Sequence, residues 1–319
     1  MSQIKISYGG ASLNPSGAWK DKESIGQLFD ALIKLGVDHI DTARLYGPSE
    51  GLIGEQPSRT SFTIDTKIQG GFSPGSAAKD AIIADAQDSL DKVGIKQFDI
   101  LYLHSPDDTV PIAETLDGIN EVYKKGIFKR FGLSNFTAQQ VQEAYDVAKE
   151  KGYVLPSVYQ GNYSPIARHL ETLLFPTLRK LGFAFYAYSP LAGGFLTKSP
   201  ADLDAGAGRF NEQAIGGMYK RMYDKPSLRN ALAEWNDVAE KEGVSKAELA
   251  YRWVGYNSAL SADKGDAVIF AGSSMNQVEQ TAKGLKKGKL SEEAAKRIQQ
   301  IWESVKADAP VDNFGANKV

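Results

Sequence analysis

The chain has 319 residues, with 37 Lys and Arg against 39 Asp and Glu, a formal net charge of −2, no cysteine and three histidines. The length suits one large domain or two small ones, and the near-neutral charge excludes the basic footprint of a nucleic-acid binder. Without cysteine there is no disulfide, thiolate metal centre or cysteine nucleophile. His39, His104 and His169 do not form an H-x-x-x-H motif, so no zinc site of that kind is expected, and a carboxylate-only site stays open.

Residues 1–7 lack the apolar stretch of a signal peptide. No apolar run approaches the ~18 residues that span a bilayer. The expectation is a cytoplasmic protein with neither membrane nor nucleic acid as partner.

In chain order, a β-rich run at 4–7 precedes an amphipathic helix at 23–35, which Gly36 follows. Strands are read at 39–41 and 62–66, then a helix at 77–93 and Gly94. Next come strand 98–104, helix 112–125 and Gly126, then strand 129–134, helix 138–151 and Gly152. Strand 157–160, helix 168–181 and Gly182 lead into strand 183–188. The stretch at about 199–226 is Gly-rich and poorly periodic and reads as a long loop. Strand 267–271, helix 276–285, a last helix at 291–305 and a tail at about 309–319 complete the chain. Glycine just past a helix suits the left-handed C-cap position.

Eight β-runs with helices between them predict a closed (β/α)8 TIM barrel, with residues 1–319 as a single domain. A doubly wound dinucleotide-binding sheet would want G-x-G-x-x-G after an early strand, and the chain has none there. In such a barrel the chemistry sits at the C-terminal ends of the strands. Those ends carry Asp41 (with Tyr46 just beyond), Lys67, His104, Ser134-Asn135, Gln160 and Tyr188-Ser189. Singly, each has a structural reading: an ion pair, a packed histidine, a loop aromatic. Together they form an acid–base set. An ammonium at Lys67 would favour tyrosinate at Tyr46 and so lower its pKa. Asp41 would hold Lys67 in place, and His104 would donate to a carbonyl oxygen. A hydride arriving at the carbonyl carbon must then come from a nicotinamide.

At these residues the sequence resembles the aldo-keto reductases. The resemblance rests on Ile40-Asp41-Thr42-Ala43-Arg44-Leu45-Tyr46-Gly47-Pro48-Ser49-Glu50, Thr66-Lys67, Leu101-Tyr102-Leu103-His104, Gly132-Leu133-Ser134-Asn135-Phe136 and Tyr188-Ser189-Pro190-Leu191. Within the family the sequence is most similar to the aflatoxin-aldehyde (succinic semialdehyde) reductase branch, through stretches such as 155–163, 190–197 and Gly208-Arg209-Phe210. The resemblance implies NADPH-dependent reduction of aldehydes or ketones, with Tyr46 as proton donor, Lys67 tuning it, Asp41 pairing with Lys67 and His104 orienting the carbonyl. It implies Ser134, Asn135 and Gln160 at the nicotinamide carboxamide and Tyr188 stacked on the ring. Ser189, Leu191 and Gly193 would lie over the pyrophosphate. Arg209, Ser273, Ser274, Gln277, Gln280 and Thr281 would meet the phosphates and the adenosine end.

Two departures bear on ligands. Residues 273–281 contain no base, so the choice of NADPH over NADH rests on the family. Asn313-Phe314-Gly315 has no arginine to meet an acidic substrate, which leaves Lys220 or Arg221 for that role. Tyr163 and Arg221 are read at the substrate pocket, and Trp19 either lines it or anchors a loop. The partner set is a small carbonyl substrate, with a monomer or homodimer. The alternative function is a cofactor-binding regulatory subunit of the potassium-channel β type, with little turnover.

Overall fold

The structure is a computed structural model and describes residues 3–315. Its strands are β1 (Lys5–Gly9), β2 (His39–Asp41), β3 (Thr63–Ile68), β4 (Phe98–Leu103), β5 (Phe128–Ser134), β6 (Pro156–Asn162), β7 (Ala184–Tyr188) and β8 (Ala267–Phe270). Each pairs with its sequence neighbours, and β8 pairs in parallel with β1, which closes the barrel. The (β/α)8 architecture matches the expectation, nearly at the expected bounds.

Parallel neighbours need long crossovers, and helices supply them. The helix Lys22–Lys34 shows why. Asp21 caps it by accepting from the Ser24 backbone N–H at 2.8 Å. Ile25, Leu28, Phe29 and Leu32 form one apolar stripe and are buried against the barrel. The glycines expected at helix ends, from Gly36 to Gly182, all take positive φ.

Side chains alternate along the strands between the inside and the outside of the barrel. On β4, Leu101 and Leu103 join the large core, whereas Ile100 and Tyr102 belong to a separate inner cluster with Val158, Tyr186 and Ile269. Gly132 on β5 is required by this packing: a Cβ there would lie 2.3 Å from the Tyr102 ring.

The expected loop at 199–226 contains two short helices, Pro200–Asp204 and Met218–Tyr223, joined by tight turns. Two further helices, Pro226–Glu242 and Lys246–Arg252, follow before β8, and the sequence reading assigned neither. Leu228, Leu232, Trp235 and Val238 are a helical stripe that was legible there. The expected helix at 168–181 is broken into Leu170–Leu173 and Phe175–Leu181, with Pro176 in the first turn of the second. Of the expected tail, residues 316–319 lie outside the described residues. No described helix is long and apolar enough to cross a membrane.

Candidate active site

Neighbouring strands deliver the expected four residues to one end of the barrel. Asp41 ends β2, Lys67 lies near the end of β3, and His104 follows β4. Tyr46 ends a short turn after β2. Lys67 is fully buried. Its Nζ donates to both Asp41 oxygens at 2.7 Å and to the Thr42 carbonyl at 2.8 Å. Three acceptors match the three ammonium protons. Burial, the largest single cause, would lower the Lys67 pKa, but Asp41, Tyr46 and Asp65 together outweigh it and the net shift is upward. The lysine is therefore a fixed positive charge.

That charge lies over Tyr46, 5.1 Å from the ring centroid, and over Tyr102 at 5.6 Å. Tyr46 is half-buried. Burial raises its pKa, and Lys67 pulls it back down without cancelling the rise. The ammonium thus acts in the expected direction, but the net shift is opposite to the expected lowering. The hydroxyl carries its proton at neutral pH, as a donor must.

The His104 ring meets the Tyr46 ring at 5.8 Å, nearly perpendicular. Burial and then the charge of Lys67 hold its pKa well below the usual histidine value. The imidazole is neutral, and its Nδ1 has no hydrogen-bond partner among the described residues. A neutral imidazole has one donor nitrogen and one acceptor nitrogen.

The residues expected at the nicotinamide form a hydrogen-bonded rim. Asn135 takes a left-handed conformation, φ 61°, which asparagine tolerates better than most residues. Its Nδ2 donates to the His104 carbonyl at 2.8 Å and to Ser134 Oγ at 3.1 Å. Its Oδ1 accepts from Tyr188 OH at 3.0 Å. Gln160 Nε2 donates to Asp41 Oδ1 at 2.8 Å. Gln160 therefore steadies the ion pair, an interaction the sequence reading did not anticipate.

Beyond β7 the backbone is contorted. Ser189, Ala192, Gly193 and Gly194 all have positive φ, and a Cβ at Gly193 would fall 2.0 Å from the Tyr219 ring. Leu191 sits within this segment, partly buried against the core. Arg209 lies over Tyr219 at 5.3 Å and donates to its hydroxyl at 3.2 Å. After β8, Ser274 caps the helix Met275–Gly284. The Ser273 N–H and Oγ both donate to Gln277 Oε1, at 2.9 and 3.0 Å. Ser273, Ser274, Gln277 and Gln280 are exposed, whereas Thr281 is on the buried face of the helix. This collection suits a dinucleotide: amide hydrogen-bonding groups at Asn135, a tyrosine ring, a strained loop over a close aromatic, and serine donors at the start of a ten-residue helix.

Of the three residues read at the pocket, Tyr163 is corrected, and Trp19 takes the second of its two readings. Tyr163 is fully buried among Phe175, Phe185 and Trp253, and its hydroxyl donates to Glu171. It belongs to the core. Trp19 is a loop anchor: its Nε1 donates to the Gly272 carbonyl at 2.8 Å, beside Tyr8 OH at 3.3 Å. Arg221 is exposed, its guanidinium donates to the Gly216 carbonyl, and it lines a cavity of about 430 Å³ beside the tail. Two rings near His104 were missed. Phe72 packs on His104 at 5.1 Å, and Phe314 from the tail packs on Phe72 at 5.0 Å.

At the opposite end of the barrel, possible metal-ligand atoms of His39, Asp65 and Asp99 lie within 4.8 Å of one another, a grouping that residue spacing did not reveal. Arg130 engages both Asp99 oxygens, at 3.3 and 2.6 Å. Lys5 and Arg130 each donate to Tyr186 OH at 3.1 Å. These cations make the group an ion-pair floor.

Residues 5–303 match the Aldo/keto reductase family. Oxidoreductase sirO of Leptosphaeria maculans is 40% identical over 287 residues, covering 89% of this chain and 87% of that protein. Aldo-keto reductase family 7 member A3 of Homo sapiens is 34% identical over 295 residues, covering 88% and 89%. Aflatoxin B1 aldehyde reductase member 2 of Rattus norvegicus is 33% identical over 294 residues, covering 88% and 80%. With a closed eight-stranded barrel and this extent of likeness, the chain belongs to the aldo/keto reductase family.

Proposed function

We propose that the protein is a cytoplasmic, single-domain enzyme that reduces aldehydes or ketones to alcohols with NADPH, and that Tyr46 is the proton donor. The observation that carries this reading is the fixed Lys67 ammonium over the protonated, half-buried Tyr46, with neutral His104 against the same ring. Bound NADPH would supply the hydride to the carbonyl carbon. Tyr46 Oη gives its proton to the carbonyl oxygen as negative charge develops there. Lys67 stabilises the tyrosinate that remains, and Asp41 and Gln160 keep Lys67 aimed. His104 donates a hydrogen bond to the same oxygen. Ser134, Asn135 and Tyr188 would hold the nicotinamide, with Ser189–Gly193, Arg209, Ser273, Ser274, Gln277 and Gln280 along the rest.

Loss of a general acid lowers turnover by about 10²–10⁴-fold. Tyr46→Phe should lose turnover on that scale while its NADPH affinity, followed by fluorescence titration, stays near wild type. A variant with wild-type kcat ends the proton-donor assignment. A parallel NADH titration tests the cofactor choice, since residues 273–281 contain no base.

A further inference from the structure

Tyr46 stands on a loop that is tied at its feet and, in the middle, by one side chain. At the feet, the Thr42 N–H donates to the Asp65 carbonyl at 2.8 Å, and the Thr42 and Ser49 hydroxyls are hydrogen-bonded at 2.8 Å. Ser49 also donates to the Gly10 carbonyl at 2.9 Å. Between them, Arg44–Tyr46 is a single 3₁₀ turn without a side-chain cap, and Gly47 after it has φ 60° and ψ −116°. Leu45, in the middle of the turn, is exposed.

Arg44 reaches across to the helix Lys79–Val93. Its Nη1 donates to Asp88 Oδ2 at 2.7 Å, and to the Asp85 carbonyl and Ser89 Oγ at 3.1 Å each. Its Nη2 meets Asp85 Oδ1 at 2.9 Å. Residues 85, 88 and 89 share one face of that helix. The Arg44 side chain is only 17% exposed, and Ser89 is fully buried. A single exposed ion pair would fix little. A planar guanidinium held by four acceptors is fixed in place and in orientation. A 3₁₀ turn has three residues per turn, so successive side chains diverge by about 120°. Fixing the direction of Arg44 therefore fixes the direction of Tyr46.

The same patch of helix also reaches the strand that carries Lys67. Ser89 donates to Glu50, and the buried Glu50 accepts from Thr66 Oγ1 at 2.6 Å. Thr66 precedes Lys67 in β3. One helix face thus holds both the turn of the tyrosine and the strand of the lysine.

We propose that Arg44 is a positioning residue: by clamping its turn to the helix Lys79–Val93 it sets where the Tyr46 hydroxyl stands relative to Lys67 and His104. The inference rests on the reductase reading above. Arg44 acts through Tyr46 and touches neither Lys67 nor His104. Its loss slows proton transfer and leaves cofactor binding alone.

The test measures kcat and the KM values for 4-nitrobenzaldehyde and NADPH in Arg44→Met, Arg44→Lys, Tyr46→Phe and the Tyr46→Phe/Arg44→Met double variant. A misplacement of about 1 Å can cost ~10²-fold in rate, so Arg44→Met should lower kcat by roughly 10- to 100-fold with the NADPH KM near wild type. Arg44→Lys should fall between, since an ammonium keeps the charge without the fork. In the double variant kcat should match that of Tyr46→Phe alone, because residues acting as a unit are not additive. A merely structural arginine would lower both backgrounds alike. An NADPH titration checks that each variant is folded. Asp85→Asn weakens the same grip from the helix side and must lower kcat in the same manner, even where Arg44→Met does not fold. Wild-type kcat in Arg44→Met, or losses that multiply in the double variant, overturns the clamp while the reductase reading stands. A wild-type protein that turns over no carbonyl compound overturns the reductase reading and the clamp together.

Discussion

The two ends of the barrel interior both hold buried charge, and they hold it differently. At the C-terminal end one cation, Lys67, is shared between Asp41 and the Thr42 carbonyl, and its field reaches a tyrosine that is half open. At the N-terminal end Lys5 and Arg130 converge on one tyrosine hydroxyl, and Arg130 also engages Asp99. The floor spends its charges on one another, which serves stability. The upper site leaves Tyr46 and His104 available to a reacting group. A buried ion pair alone is weak evidence of function. What separates the two ends is whether an acid–base group beside the pair is reachable: Tyr46 is half-buried, whereas Asp65 is fully buried.

Three substitutions or titrations sharpen this contrast. The largest effect is expected for Lys67→Met. It strands the Asp41 carboxylate in a buried site, which costs about 3–5 kcal/mol of stability, and it should lower turnover by about 10²–10⁴-fold. Denaturant unfolding and steady-state kinetics read the two separately. A variant with full activity would reduce the upper pair to the status of the floor.

Asp65→Asn is expected to act on stability alone. Burial, then the charges of Asp99 and Asp41, hold the Asp65 carboxyl well above its ordinary value. The folded chain therefore keeps a proton that the unfolded chain releases near pH ~3.9. Stability from this group is present below that value and is lost as pH rises toward the folded pKa. Asparagine keeps an acceptor for the Ile100 N–H, which donates to Asp65 at 3.1 Å, and removes the titration. Measured by denaturant unfolding at a series of pH values from about 5 upward, its unfolding free energy should gain on wild type as pH rises, by no more than ~1.4 kcal/mol per pH unit. A constant difference would show that Asp65 is ionised throughout.

The smallest effect lies in the pH–rate profile. His104 titrates well below the usual histidine value, through burial first and the Lys67 charge second. It stays neutral on the acid side of ~6.5, and kcat/KM should be flat through that region. Half-maximal loss of kcat/KM at that pH would mean an ordinary, charged imidazole.

The barrel was legible because strands buried on both faces read as short apolar runs, and glycine marks the helix ends between them. The four catalytic candidates were legible because strand ends are where such barrels place chemistry. The Gln160–Asp41 bond joins residues 119 positions apart, and local patterning carries no trace of that pairing. Phe314 was invisible for the same reason: its partner follows a different strand. Tyr163 was misplaced because it lies near the end of its strand, in the rim's stretch of sequence, and its burial depends on rings from other elements.

Trp19 fastens the barrel at its seam. β1 and β8 are the first and last strands, and below the rim their ladder joins them. Above it the indole and Tyr8 grip one carbonyl, that of Gly272. A peptide unit is planar and trans, so fixing its oxygen also fixes the opposite N–H. That N–H belongs to Ser273, whose amide points to Gln277 Oε1. Anything that displaces the Gln277 oxygen therefore meets a donor already aimed, and the loop after the last strand has little freedom left to lose when it is occupied.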